Sequence, residues 1–201
     1  MLMLISPAKK LDFETETSLS VHSQPQFIES ANALAVSARK LSRTQLAQSM
    51  KISDNLADLN YKRFQSFKPP FDLGNAKQAA LVFNGDTYVG LQAQIFDEKD
   101  FSFAQDHLRI LSGLYGILRP LDLIQPYRLE MGARFSPPNK KDLYDFWAEQ
   151  LTDAINNELS THKDQSIINL ASNEYFKAVD KKKLNGHLIT PAFKEIKDGE
   201  T

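Results

Sequence analysis

The chain has 201 residues, enough for one compact domain with a sizeable hydrophobic core. Its formal net charge of −1 excludes a generally basic polyanion-binding protein, so any nucleic-acid surface has to be a local patch. The sequence contains no cysteine, which excludes disulfides, thiolate metal sites and thiol redox chemistry. No apolar run approaches the roughly 18 residues that span a bilayer, and the first residues lack a basic leader. We therefore expect a cytoplasmic protein.

Apolar runs and helical spacing of apolar residues predict a mixed α+β fold of the α/β class, built as a single domain over residues 1–201. The predicted elements, in chain order, are a strand at 1–5, helices at 27–41, at 43–50 and after the N-cap Ser53, a strand at 79–83, a strand or short helix at 87–91, helices at 101–111 and 142–159, and strands at 167–171, 187–189 and 192–196. The Asp-Gly pair at 198–199 is a hairpin signal with no returning strand, which predicts that the native sequence continues beyond this chain.

The segment 108–122 combines two apolar runs with two glycines. Gly113 and Gly116 permit a tight reversal, and Pro120 is tolerated near the start of a helix. We interpret the segment as helix, glycine hairpin, helix, with Arg109 and Arg119 flanking the turn. Such a unit aims backbone amides and guanidinium groups at phosphates. The alternative is a merely structural turn, since two residues separate the glycines instead of the single residue typical of helix–hairpin–helix modules.

Positive charge is concentrated between residues 39 and 68, where seven basic residues stand against two acidic ones. Between residues 86 and 106 the balance reverses, with five acidic residues and one lysine. A basic helical face can follow a phosphate backbone, but it is also a common form of solvated surface. The basic residues of the first block are Arg39, Lys40, Arg43, Lys51, Lys62, Arg63 and Lys68.

Two polar loops follow predicted strands, at residues 6–12 and 172–175. Ligands of α/β proteins bind at turns of this kind, where a strand leads into a helix. An enzyme of unknown reaction would use a pocket between the two loops, which should then lie side by side. Tyr127, Arg128 and Glu130 are polar groups near a further loop, with either a pocket-lining or a structural hydrogen-bonding role.

The chain shows few signals for known catalytic chemistry. Its four histidines lack metal-ligand spacing, and neither a phosphate-binding loop nor a Gly-x-Ser-x-Gly motif is present. We predict no catalytic residue, no cofactor and no metal site. Direct iron sequestration by carboxylates is a third hypothesis, although it lacks a histidine–carboxylate motif. The carboxylates concerned are Asp97, Glu98, Asp100 and Asp106.

Five ordered blocks of the sequence together resemble the bacterial YaaA peroxide-stress proteins. The resemblance runs from Met1 to about Phe193, and five blocks at compatible spacing are far more specific than any single motif. The blocks are Leu4-Ile-Ser-Pro-Ala-Lys-Lys-Leu-Asp12, Phe83-Asn-Gly-Asp-Thr-Tyr-Val-Gly-Leu91, residues 108–122, Gln125-Pro-Tyr-Arg-Leu-Glu-Met-Gly132 and Ile168-Asn-Leu-Ala-Ser-Asn-Glu-Tyr-Phe176.

The resemblance implies a cytosolic protein, induced by hydrogen peroxide, that limits damage from unincorporated iron. It also implies a family-specific mixed α/β fold with a positively charged cleft and a helix–hairpin–helix element that binds DNA, here at residues 101–124. Members of the family continue past the end of this chain, and the family supplies no established catalytic residue.

We therefore expect a protein that binds duplex or branched DNA largely without sequence specificity, with no membrane association and no obligate protein partner. Guanidinium groups and hairpin amides would contact phosphates, and the two lysines after the first strand would line the cleft. The predicted DNA-binding residues are Lys9, Lys10, Arg109, Gly113, Tyr115, Gly116, Arg119 and Arg128.

Overall fold

The computed structural model of the protein describes residues 1–193. The mixed α+β prediction is confirmed, because helices alternate with strands of a mixed sheet. The helices are α1 (Ile28–Arg39), α2 (Arg43–Met50), α3 (Asp54–Ser66), α4 (Ala79–Val82), α5 (Asp86–Leu91), α6 (Glu98–His107), α7 (Leu143–Leu159) and α8 (Asn173–Phe176). The strands are β1 (Leu2–Ile5), β2 (Lys77–Gln78), β3 (Leu108–Ser112), β4 (Gly116–Leu118), β5 (Leu123–Ile124), β6 (Ser166–Asn169) and β7 (His187–Ile189).

The main sheet has five strands in the order β4-β3-β1-β6-β7. β1 lies at its centre and pairs in parallel with β3 and with β6, while β7 extends the parallel part and β4 is antiparallel. β1 is apolar throughout, and Leu2 and Leu4 are fully buried, as expected of a central parallel strand covered on both faces. β2 and β5 form a separate two-stranded ribbon.

The helix–hairpin–helix prediction is wrong. Helix α6 ends at His107, and the following residues form a β-hairpin in which Ile110 pairs with Leu118 and Ser112 with Gly116. All five residues of β3 are buried. A short apolar run of this kind is compatible with a buried strand or a buried helix, so periodicity could not distinguish the two. The run that follows forms β4 and β5, and not a second helix.

Other short segments show the same ambiguity. The strand predicted at 79–83 is helix α4, whose four residues are all buried, and the segment 87–91 forms helix α5 and not a strand. Residues 194–196 of the predicted strand at 192–196 and the Asp-Gly pair at 198–199 lie outside the described residues, and residues 192 and 193 are not in a strand.

The longer helices are confirmed at their predicted positions. Ser53 caps α3 by accepting a hydrogen bond from the Leu56 amide, and Asp142 caps α7 by accepting one from the Asp145 amide at 2.8 Å. Helix α7 buries one apolar face that includes Trp147, and the Trp147 indole donates to the Gly113 carbonyl at 3.0 Å. The longest of these helices is therefore hydrogen-bonded directly to the turn of the β3–β4 hairpin.

A long irregular segment, residues 126–142, connects β5 to α7. It crosses the helical layer, where the Arg134 amide donates to the Ser49 carbonyl at 2.8 Å. It also reaches α8, where the Gly132 amide donates to Glu174 at 2.9 Å. The segment thereby carries Tyr127, Arg128 and Glu130 past the carboxyl ends of the central strands.

Candidate site at the carboxyl edge of the sheet

The carboxyl ends of β1 and β6 form the topological switch point of the sheet. These two strands are neighbours, but the next strand of this sheet after β1 is β3 on one side, whereas β6 leads to β7 on the other. Connections that leave adjacent parallel strands in opposite directions open a crevice between them, which is the usual ligand position in open α/β sheets.

The two loops predicted to lie side by side are joined at this crevice. The Ser172 amide donates to the Ser6 hydroxyl oxygen at 2.9 Å, and the two hydroxyl oxygens are 3.3 Å apart. The Tyr88 hydroxyl donates to the Ser6 carbonyl at 2.8 Å and fixes the start of the loop from the other side. The predicted juxtaposition of residues 6–12 and 172–175 is confirmed.

Residues 126–132 close the third side of the crevice. Lys9 Nζ lies 2.8 Å from Glu130 Oε1, and Arg128 Nη2 lies 3.7 Å from the same oxygen. The space left between the loops has a volume of about 20 Å³, lined by Pro7, Ala8, Lys9, Tyr127, Arg128, Leu129, Glu130 and Tyr175. This volume suits one water molecule, so the pocket that an enzyme would need is closed in this conformation.

Cations from two segments meet at the site. Lys9 and Arg128 share the Glu130 carboxylate, and Lys10 follows Lys9 at the exposed rim. Burial lowers the pKa of the Arg63 guanidinium group, and the charge of Arg128 lowers it further. We call Lys9, Lys10 and Arg128 the edge cluster; among the described residues, Glu130 is the carboxylate paired with Lys9 and Arg128, while Glu174 accepts a hydrogen bond from the Gly132 amide of the same segment.

The buried tyrosines beside the site are held neutral. Burial raises the pKa of Tyr127, although its hydroxyl shares a 2.7 Å hydrogen bond with Ser112, and burial also raises the pKa of Tyr175. A neutral phenol can donate a hydrogen bond to an anion but does not act as a base.

The structure places four of the predicted DNA-binding residues inside the protein. Arg109 is 5% exposed, pairs with Glu158 and donates to the Gln105 and Leu108 carbonyls at 2.7 Å. Tyr115 is fully buried. A side chain at Gly113 would collide with the Leu129 carbonyl, and Gly116 packs against Trp147. The hairpin therefore contributes to the core, and both of its glycines pack closely against neighbouring segments.

Arg119 is also engaged and lies away from the carboxyl edge. Its guanidinium group contacts Asp122 at 2.9 Å and the Gln24 carbonyl at 2.9 Å. Together with Arg109 it lines an open polar cleft of about 920 Å³ at the opposite edge of the sheet, beside Met1. Of the eight predicted residues, the structure brings together Lys9, Lys10 and Arg128 at the carboxyl edge.

The basic block on the helices is partly used for internal contacts. Arg43 and Lys62 both pair with Asp58 at 2.6 Å, and Arg39 donates to the Phe64 carbonyl at 2.7 Å. Arg63 is half-buried, and its pKa is lowered by burial and by the charge of Arg128. The sequence pointed to Arg63 within the block, but no local signal linked it to Arg128.

Two of the four acidic residues proposed for iron sequestration, Asp97 and Asp100, form the N-terminal cap of helix α6. Asp97 caps α6 by accepting bonds from the Lys99 and Asp100 amides at 2.8 and 2.9 Å. Within residues 1–193, no group of three or more histidines and carboxylates is arranged to hold a metal ion. Over the same residues, no helix has the length and apolar character needed to cross a membrane.

Comparison with known families agrees with the resemblance read from the sequence blocks. A family model described as peroxide stress protein YaaA matches residues 1–201. The match spans the strands, the β-hairpin and the loops that build the carboxyl-edge site. The chain therefore belongs to the YaaA family of peroxide stress proteins.

Proposed function

We propose that this protein acts in the peroxide stress response by binding DNA through the edge cluster, largely without reading base sequence. The supporting observation is the gathering of Lys9 and Arg128 around the single carboxylate of Glu130 at the switch point of the sheet. Guanidinium groups form paired hydrogen bonds with phosphate oxygens, and ammonium groups add point charge.

The edge cluster explains how a chain with a net charge of −1 would bind a polyanion. Local charge, and not net charge, determines contact with the phosphate backbone, and each neutralised phosphate releases condensed counterions. Binding of this kind depends strongly on salt and weakly on base sequence.

The test is fluorescence anisotropy of a labelled DNA duplex over a series of salt concentrations. The double variant Lys9→Ala/Arg128→Ala removes two cations of the edge cluster, so the slope of log affinity against log salt should become shallower by about 2. The control Lys40→Ala/Lys68→Ala removes two exposed cations of the helical block and should leave the slope close to that of the parent. Equal losses in both variants would show that binding is not specific to the edge cluster and would contradict the proposal.

We further propose that DNA binding limits damage linked to unincorporated iron by shielding the bound backbone. The protein has no cysteine, so protection would not consume peroxide through thiol chemistry. Adding the parent protein should reduce the nicking of a plasmid by ferrous iron and peroxide, whereas adding Lys9→Ala/Arg128→Ala should not. Equal protection by both proteins would show that protection does not depend on DNA binding through the edge cluster.

A second candidate function is an enzyme that acts on a small molecule at the same crevice. The direct contact between Ser6 and Ser172 at the switch point favours it. The loops would have to separate, since the present space holds about one water molecule. A metabolite panel should then contain a compound that raises the melting temperature of the parent but not of Ser6→Ala. A flat response across the panel argues against this candidate.

A further inference from the structure

We infer that Glu130 is an internal anion that holds the phosphate position of the edge cluster in the free protein and is displaced when a phosphate binds. This inference rests on the proposed function, because it specifies how the same site sets its affinity. The Glu130 carboxylate lies between the cations, 2.8 Å from Lys9 Nζ and 3.7 Å from Arg128 Nη2.

The contacts of Glu130 balance the charge of the nearby cations but leave polar atoms of Glu130 and Arg128 without hydrogen bonds. Although the Lys9 ammonium is close, Glu130 Oε1 is buried and accepts no well-directed hydrogen bond from the described residues. Arg128 Nε is likewise buried and lacks an acceptor among them. A buried donor without an acceptor costs free energy, so an incoming anion that accepts from Arg128 Nε adds a hydrogen bond that Glu130 does not provide.

A phosphate group matches what the carboxylate leaves unfilled. Its oxygens point in several directions, so one group can accept from Arg128 and also contact Lys9. The side chain of Lys9 is 69% exposed, which leaves its ammonium free to follow either anion. The Glu130 and Arg128 side chains are each 18% exposed, so outward rotation of Glu130 would open the crevice between the loops.

Glu130 therefore lowers the affinity of the site for phosphate. Any phosphate has to replace an attraction already present, and the charge of Glu130 nearby repels it. Neutralising Glu130 should therefore tighten binding, whereas neutralising a distant carboxylate should not. A merely structural role for Glu130 predicts the opposite, because its loss would loosen the loop that carries Arg128.

The test compares the parent with Glu130→Gln, which keeps the shape of the side chain and removes its charge. Anisotropy with a labelled DNA duplex at fixed salt should show binding that is tighter by about fivefold or more, from the Coulomb energy of one charge near 4 Å. Inorganic pyrophosphate should also compete at lower concentration against Glu130→Gln. The control Glu16→Gln removes an exposed carboxylate and should bind like the parent.

The double variant Lys9→Ala/Glu130→Gln asks whether Glu130 acts through its partner. The gain from Glu130→Gln should shrink when Lys9 is absent, because less cationic charge is released. If Glu130→Gln binds no more tightly than the parent while the parent binds DNA, the inference is overturned and the proposed function stands. If neither the parent nor Glu130→Gln binds DNA, the proposed function fails and the inference with it.

A second measurement uses the parent protein alone, so it does not depend on the folding of a variant. In the parent protein with ¹³C-labelled glutamate, the carboxylate resonance of Glu130 should move as pyrophosphate or duplex DNA is added. A resonance that stays fixed at saturating DNA would show that the carboxylate is not displaced and would overturn the inference.

Discussion

At the scale of single residues, Arg119 has a structural partner in place of a phosphate. The Asp122 side chain is 1% exposed, and it accepts from the Arg119 amide at 2.8 Å and the Ser23 hydroxyl at 2.6 Å. Burial raises the pKa of Asp122, and the Arg119 guanidinium group opposes that rise. The cation therefore makes a buried carboxylate tolerable at the turn between β4 and β5.

We expect Arg119→Ala to lower the free energy of unfolding by about 2 kcal/mol, because Asp122 loses a charged hydrogen-bond partner. Urea denaturation at neutral pH measures the change. The matched control is Arg134→Ala, since Arg134 is exposed, and its effect should stay within about 0.5 kcal/mol. If the two variants lose the same free energy of unfolding, the contact of Arg119 with Asp122 does not stabilise the protein as proposed.

The buried tyrosines predict a loss of stability in alkali. Burial raises the pKa of Tyr88, Tyr115, Tyr127 and Tyr175 above the ordinary value of 10.0. In the unfolded chain these phenols ionise near pH 10, so the folded state binds more protons above that pH. Stability is therefore complete below about pH 10 and falls as pH rises above it, by about 1.4 kcal/mol per pH unit for each tyrosine.

Urea denaturation between pH 8 and 11 measures this dependence, and absorbance at 295 nm reports phenolate formation. Tyr127→Phe should make the decline with pH shallower, because one group no longer titrates. A free energy of unfolding that stays constant to pH 11 would contradict the assigned burial.

At the scale of elements, the turn of the β3–β4 hairpin depends on glycine. Gly116 has a φ of 73°, in the left-handed region, and a Cβ placed there would lie 2.7 Å from the Trp147 ring. Gly116→Ala should lower the free energy of unfolding by about 2–4 kcal/mol, since it adds backbone strain to overpacking against α7. Thermal and urea denaturation both report the loss.

Gly90 provides the matched control. It lies in helix α5, and a Cβ there meets no atom of the described residues within 4 Å. Gly90→Ala should therefore stabilise the protein, by about 0.5–1 kcal/mol, through the entropy of the unfolded chain. Equal effects at the two glycines would show that neither the φ angle nor the Trp147 contact matters.

The elements also show which parts of the fold could be predicted. Helices α3 and α7 carry side-chain caps and one apolar face, so local signals and tertiary packing agree. Strand β3 has no such face, because both of its sides are covered, and its five buried residues fit either structure. Residues 108–112 became a strand through pairing with β1, a contact across more than 100 residues that leaves no local signal.

At the scale of the whole molecule, the sequence predicted where the site lies better than it predicted which residues meet there. Parallel strands bring their carboxyl ends together, so loops 6–12 and 172–175 had to be neighbours once β1 paired with β6. The contact of Lys9 with Glu130 depends on the path of residues 126–132 over the sheet edge. That path is held by Ser49 and Glu174, which lie far away in sequence.

The two edges of the sheet differ in what their cations do. At the amino edge, Arg109 and Arg119 are tied to Glu158 and Asp122. At the carboxyl edge, Lys9 and Arg128 share the single carboxylate of Glu130. We therefore propose that phosphates contact the carboxyl edge, whereas the arginines of the amino edge support the fold.

The most direct test of this assignment is a map of the DNA contact surface in solution. Backbone amide NMR spectra of the protein, recorded during titration with duplex DNA, would show which residues change. We predict shifts at residues 6–12 and 126–132, with the hairpin residues 109–116 little affected. Shifts concentrated on the hairpin and Arg119, with the carboxyl edge unchanged, would contradict it.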